Sequence, residues 1–236
     1  MPLPPINIPT HTSLADGVHE ALRAAIIRGV LDAGVKLTEV SLAGHLNVSR
    51  TPIREALRRL QAEGLLVPSG RSLMVSEVSL EALAELCVVR EALEGLAARL
   101  AASQRNDIDL WVLADLNNSM HRAVEEDDFQ TVIRTNHAFH STVWQAAHNG
   151  YLTTRLAELR ETIERMQTST LHTHERRVEA LQEHEEILLA IKSSDADGAE
   201  RVTREHFRKA EAIRLRQLRL KAAHQLSALS AQTSHQ

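Results

Sequence analysis

Residues 48–66 read VSRTPIREALRRLQAEGLL. Ile53, Ala56, Leu57 and Leu60 recur at the three- and four-residue spacing of one helix face, while Arg50, Arg54 and Arg58 stand four apart on another. Ser49 is placed to cap this helix, Pro52 falls in the first turn where no intrahelical N–H bond is needed, and Gly64 stops it. A shorter helix over Thr38 to Leu46 precedes it, with Thr38 as N-cap, and Asn47 and Val48 leave room only for a tight turn. Further back, Ser13 to about Arg28 reads as a helix with Leu14, Val18, Leu22 and Ile26 at a spacing of four. Downstream, LLV and LMV flank PSGRS, two apolar runs around a turn-forming tip, which predicts a β-hairpin.

A short helix, a tight turn, a capped basic helix and a hairpin form a winged helix-turn-helix. Guanidinium forks match phosphate oxygens and the O6/N7 edge of guanine. The helix N-terminus adds free N–H groups and the positive end of the dipole, and Thr51 sits there beside Arg50. The arginine stripe alone would describe the solvated face of any amphipathic helix. The ordered set of elements around it is what points to DNA.

From Leu80 onward strand signals vanish and helical periodicity dominates, with breaks near Asn106–Asp107, Glu126–Phe129, Asn149–Gly150, His172–His174 and Ser193–Asp195. About six helices follow from that, and the fold class is mainly α, with a domain boundary near Ser76–Ser79. The net charge of -4 is unevenly spread. Residues 1–76 hold eight Lys and Arg against six Asp and Glu, and the remainder hold 19 against 25. A mildly basic front and an acidic back suggest two jobs. No run of about 18 apolar residues is present, so no membrane span is expected. MPLPPINIPT lacks the charged start and apolar core of a secretion signal, and Cys87 alone excludes an intramolecular disulfide framework. A cytoplasmic location is the expectation.

The acidic half offers a second constellation. Asn136 and His140 are i and i+4, so both project from one helix face. His184 lies ten residues before Ser194, and His206 eleven after Asp195. If those helices fold back antiparallel, both imidazoles sit about 15 Å from the turn, at about 1.5 Å per residue. Three imidazoles and an amide oxygen would then meet inside a bundle, a donor set that suits zinc, nickel or cobalt. Four ordinary core or surface residues, bonded to backbone or water, would have the same spacing. Arg90 interrupts an apolar stretch, where it would either pair with an effector carboxylate or with Glu94 one turn on. Cys87 falls at a helix-core position and reads as a small buried hydrophobe.

Residues 14–76, and VSRTPIREALRRLQAEGLL above all, resemble the DNA-binding domain of GntR-type bacterial transcription regulators. The resemblance implies that Arg50, Thr51 and Arg54 contact operator DNA in the major groove. It also implies that the wing tip at Gly70 enters the minor groove; Arg71 beside it would extend that contact, and Arg58 belongs to the same basic stripe as Arg50 and Arg54. Val40 stands where the family often has arginine, so an operator preference does not carry over. REALEGLAARLAA (90–102), NHAFHSTVWQAAHNGYL (136–152) and EHEEILLAIKSSDADGAERVTREHF resemble the all-helical FCD effector domain of the FadR subfamily. That resemblance spans about residues 80–222 and implies a metal held by Asn136, His140, His184 and His206. Asparagine replaces an aspartate found in many members.

The expected organisation is a disordered arm over 1–12, a winged domain over 13–76, a linker over 77–79, an FCD-type bundle over 80–222 and a C-terminal tail over 223–236. The expected function is transcription regulation, as a repressor. A small organic acid would bind at a divalent metal, zinc or nickel, and control affinity for a pseudo-palindromic operator read by a homodimer, with Arg90 as an effector contact. Two rivals remain open at this point: a metal-dependent enzyme on a helical bundle, and a constitutive DNA-binding protein with a structural metal.

Overall fold

The computed structural model describes residues 6–8, 13–164 and 169–233, with side chains placed up to residue 220. Contacts divide the chain into two compact units, Met1–Ser79 with Glu161–Gln167, and Leu80–Arg160 with Thr168–Gln236.

The N-terminal unit begins with α1 (Leu14–Ile27), capped by the Ser13 hydroxyl, which accepts from the Asp16 N–H. Strand β1 (Lys36–Leu37) follows, then α2 (Glu39–Leu46) and α3 (Arg50–Ala62). The turn between α2 and α3 closes on Asn47, which adopts a left-handed conformation with φ 53°. Asparagine tolerates that region better than any residue except glycine, because its short amide can bond locally. Thr38 caps α2 through the Ser41 N–H as expected, but Ser49, although at the N-cap of α3, makes no side-chain cap bond. The hairpin is β2 (Leu66–Ser69) and β3 (Ser72–Val75), with Leu66 opposite Val75 and Ser69 opposite Ser72. Gly70 opens its two-residue tip at φ 61°, where a side chain would be strained. Strand β1 pairs with β3 in a three-stranded sheet of order β1-β3-β2. The sequence did not signal β1, because two residues cannot show an alternation.

One apolar core joins these elements. Val18, Leu22 and Ile26 of α1 meet Leu42 of α2, Ile53, Leu57 and Leu60 of α3, and Leu37, Leu66 and Val75 of the sheet. Burying that face of α3 forces its other face outward, and Arg50, Thr51, Arg54 and Arg58 are all exposed. Ion pairs from Asp16 to Arg59 and from His19 to Glu63, each 2.6 Å, tie α1 to α3. Most of the expected disordered arm lies outside the described residues. Within it, Ile6 and Ile8 are partly buried and pack against this core.

Six described helices follow, α4 (Leu80–Gln104), α5 (Asp107–Glu125), α6 (Phe129–Ala146), α7 (Gly150–Glu164), α8 (His174–Lys192) and α9 (Ala196–Thr233), and they form the C-terminal unit except for the last four residues of α7, which group with the N-terminal unit. Their starts follow local chemistry. Asn106 and Asp109 form a capping box on α5, Asp128 caps α6 and Thr173 caps α8. Ser194, at φ 60°, turns α8 back along α9. Alanines 98, 101 and 102 of α4 face Leu113, Phe139, Val143, Ile187, Ile191 and Ala199, so five helices share one core. Gly95 permits the closest approach of α4 to α9, since a Cβ there would lie 2.5 Å from Arg204 Cγ. Helix α9 continues past residue 222 to Thr233, and no break marks the expected start of a tail.

Ile53 is fully buried in the N-terminal core. Ile53→Ala is expected to lower the stability of that unit by about 2–5 kcal/mol, the usual range for a cavity of this size. Urea unfolding of the full chain reads it, and a loss below about 1 kcal/mol would contradict the tight packing of α3.

Candidate functional site

His140 on α6, His184 on α8 and His206 on α9 come together in the bundle interior, each at most 5% exposed. Their candidate ligand atoms all lie within 4.8 Å of one another. His140 Nε2 is 3.2 Å from His184 Nε2 and 3.2 Å from His206 Nε2. Three elements set this geometry. The reversal at Ser194 brings α8 alongside α9, and the i,i+4 rows of α6 turn His140 inward with Phe139 and Val143. Phe139 stacks on the His184 ring at 4.2 Å and 8°, and Phe207 packs within 5.0 Å of the His140 and His206 rings.

Burial depresses the protonation of all three rings; neighbouring histidines add to it at His140 and His184, while at His206 the Glu183 carboxylate works against it. Neutral rings leave lone pairs for a cation. His206 holds its proton on Nδ1, which donates to Glu183 Oε2 at 2.7 Å, so its Nε2 lone pair points at the cluster. Arg176 Nη2 donates to the same Glu183 oxygen at 2.8 Å, and the carboxyl is held at about 2, against the penalty of its burial, by His206 and Arg176. A tetrahedral ion with bonds of about 2.0–2.1 Å needs ligand atoms about 3.3 Å apart. Two of the three separations match that, and the donor set suits a borderline divalent metal. Asn136 is half-buried one turn before His140 and makes no hydrogen bond to the three rings among the described residues.

Arg90 is buried and shared between two carboxylates. Its Nε donates to Glu94 Oε1 at 3.2 Å and its Nη1 to Glu211 Oε1 at 3.1 Å, while its guanidinium lies 4.5 Å from the Phe207 ring centroid. The i,i+4 pairing with Glu94 is thus present, and Phe207 contacts both the Arg90 guanidinium and the rings of His140 and His206. Trp144 Nε1 donates to Glu94 Oε2 at 2.6 Å, and Arg214 Nε to Glu211 Oε2 at 3.1 Å. Cys87 is buried as expected, but it is more than a hydrophobe: its S–H donates to Glu211 Oε2, and burial followed by that carboxylate pushes the thiol up to about 12. Glu183, Arg176, Glu211 and Arg214 carried no sequence signal, because charged residues on helices are ordinary until their burial is known.

The DNA-facing candidates form a separate group in the N-terminal unit. Arg50, Thr51, Arg54 and Arg58 lie on the exposed face of α3, and Gly70 and Arg71 at the exposed hairpin tip.

Two family descriptions match the chain: bacterial regulatory proteins of the gntR family over residues 14–75, and the FCD domain over residues 85–209. The HTH-type transcriptional regulator McbR of Escherichia coli (strain K12) is 31% identical over 150 residues, which are 63% of this chain and 68% of McbR. The HTH-type transcriptional repressor RspR of the same organism is 25% identical over 199 residues, 84% of this chain and 87% of RspR. The solved structure of E. coli McbR/YncC superposes with a TM-score of 0.68 at 27% identity, covering 88% of this chain and 99% of that one.

Glu94 is 1% exposed, and its burial holds the carboxyl above its ordinary value of 4.5. Arg90→Ala is expected to cost about 3–5 kcal/mol by leaving Glu94 and Glu211 short of a cation. The sign of the pH dependence follows. Arg90 opposes that rise, so without it the carboxyl is held higher still, and the folded variant keeps a proton that the unfolded chain releases; the variant therefore loses stability as pH rises above about 4.5. Urea unfolding at pH 5 and pH 8 measures it, and equal stability at both would contradict it.

Proposed function

From a chain that belongs to the gntR family of bacterial regulators and carries an FCD domain, and so is a transcription regulator rather than an enzyme, we propose a repressor whose operator affinity responds to a small organic acid bound at a metal. The observation that carries this reading is the convergence of His140, His184 and His206 Nε2 atoms in the interior of the FCD bundle. Asn136, one turn from His140 on the same face, is the fourth ligand in this reading, through its amide oxygen. The ion is zinc or nickel. Such an ion supplies a Lewis-acidic centre with open positions that accept carboxylate and hydroxyl oxygens.

The chain's own residues supply the rest. Glu183 fixes the tautomer of His206, and Phe139 and Phe207 fix the ring planes. Arg90 is a buried cation one ring away, able to exchange a bond from Glu211 to an effector carboxylate. In the N-terminal unit, Arg50, Thr51, Arg54 and Arg58 read and hold the major groove while Gly70 and Arg71 approach the minor groove. A homodimer on a pseudo-palindromic operator follows from the few base pairs that one recognition helix reaches. Among the described residues no helix is long and apolar enough to cross a membrane, which fits the cytoplasmic location proposed for a DNA-binding repressor. Effector control requires unequal effector affinity for the DNA-binding and released states.

Two outcomes test the two halves separately. Arg50→Ala and Arg54→Ala are each expected to weaken operator binding by roughly tenfold or more at fixed salt, with folding unchanged. Unchanged affinity in both would place the DNA on another surface.

His184→Ala is expected to lower metal content and blunt the response to organic acids while leaving operator binding intact. Elemental analysis and operator release against a panel of hydroxy- and dicarboxylic acids check it, and equal metal content in the variant would remove His184 from the ligand set. Metal affinity should also fall in acid, because protons compete for the imidazoles. Since burial holds the three rings below the ordinary 6.5, the fall is expected at lower pH than for a solvent-exposed histidine site. Isothermal titration between pH 5 and pH 8 measures it.

A further inference from the structure

Glu39 is the first residue of α2. Its Oε1 accepts from Arg54 Nε at 2.7 Å, and its Oε2 accepts from Arg54 Nη2 at 2.9 Å and from Arg50 Nη2 at 3.2 Å. One carboxylate therefore holds two arginines of the DNA-facing helix, Arg50 and Arg54. A guanidinium presents two bidentate edges, Nε with Nη2 along its side and Nη1 with Nη2 at its end. Glu39 occupies the side edge of Arg54. The end edge, the one that matches O6 and N7 of guanine, stays open, and Arg54 Nη1 has no protein partner among the described residues.

We infer that Glu39 is a positioning residue for base discrimination: it orients Arg54, and with it Arg50, so that the open guanidinium edge addresses guanine. The inference rests on the proposed reading of these arginines as operator contacts. Two physical points favour it over a plain surface ion pair. Arg50 and Arg54 side chains are 60% and 51% exposed, and exposed pairs contribute little to folding, so stability does not account for the arrangement. A carboxylate on this surface also repels the phosphate backbone and lowers affinity for every DNA sequence. Its hydrogen bonds from Arg54 and then Arg50 hold it at about 2, so protonation does not relieve the repulsion near neutral pH. What such a charge supplies is geometry: a guanidinium on a four-torsion stem is aimed before DNA arrives.

The consequence has opposite signs for two measurable quantities. Removing the charge should leave non-specific binding equal or stronger, and should weaken discrimination between guanine and other bases. The full-length wild type is first used to select duplexes from a randomised DNA pool. Fluorescence anisotropy at fixed salt then compares the selected duplex, its single-base-pair variants and an unrelated duplex for the wild type, Arg54→Ala, Glu39→Gln and Glu39→Asp. Arg54→Ala is expected to flatten discrimination at one or more guanine positions. Glu39→Gln should flatten the same positions by about tenfold, with affinity for the unrelated duplex equal or higher. Glu39→Asp, which keeps the charge but shortens the reach, should fall between. Equal weakening of all duplexes by Glu39→Gln and Glu39→Asp would assign a merely structural role and overturn the inference, as would unchanged discrimination in both. If Arg54→Ala itself flattens no position, the reading of Arg54 as a base contact fails, and this inference fails with it.

Discussion

Three buried imidazoles that stay neutral set the terms for the C-terminal bundle. Each comes from a different helix, and His140 Nε2 lies 3.2 Å from both of the others. A slide of one helix turn along α8 or α9 would move a ring about 5.4 Å and leave its nitrogens against apolar carbon, an arrangement that costs free energy without a compensating partner. The rings therefore fix the relative heights of α6, α8 and α9 as firmly as the apolar residues do. Charge would undo this. A protonated ring at such a depth would repel its neighbours and lose its hydration, which is why burial and the other histidines act in the same direction.

The second buried network obeys the opposite logic. Arg90, Glu94, Glu211 and Arg214 carry formal charge into the interior, and each charge is tolerated because another is in contact with it. Trp144 and Cys87 supply the remaining donors to the two carboxylates. Phe207 touches both networks, packing against the Arg90 guanidinium and against the His140 and His206 rings. Any effector oxygen that draws Arg90 away from Glu211 must leave that carboxylate to Arg214 and Cys87 alone. Under the proposed function, that exchange would be the network's second arrangement, the two-state element that ligand control requires.

Much of this was legible in the sequence because it depends on period and distance. The apolar stripe of α3 fixed which arginines face outward, and the equal distances of His184 and His206 from the α8–α9 turn placed them level, which the structure shows them to be. What was hidden depends on pairing rather than period. Strand β1 exists only because Lys36 and Leu37 meet Met74 and Leu73. Ser49 has the right residue type at the right place and still makes no cap bond. Glu183 precedes His184 in an acidic helix whose glutamates look alike on paper, and only the position of His206 across the hairpin singles it out. Glu39 sits 15 residues before Arg54, a separation that no helical pattern connects.

The charge count shows why net charge is a blunt guide to where DNA binds. The first 76 residues exceed neutrality by only two positive charges. Yet three of their six acids are engaged by cationic or protonatable partners: Asp16 by Arg59, Glu63 by His19 and Arg23, and Glu39 by Arg50 and Arg54. Asp16 and Glu63 lie on the α1–α3 seam, at the end of α3 away from its N-terminus. Beyond about 8–10 Å their fields are screened at physiological salt. What a phosphate meets near the start of α3 is therefore set by Arg50, Arg54, Arg58 and the helix dipole, with Glu39 and the exposed Glu55 as the acids among them. Glu39 is in contact with the two arginines it would otherwise oppose, so three arginines still outnumber the two acids on this surface.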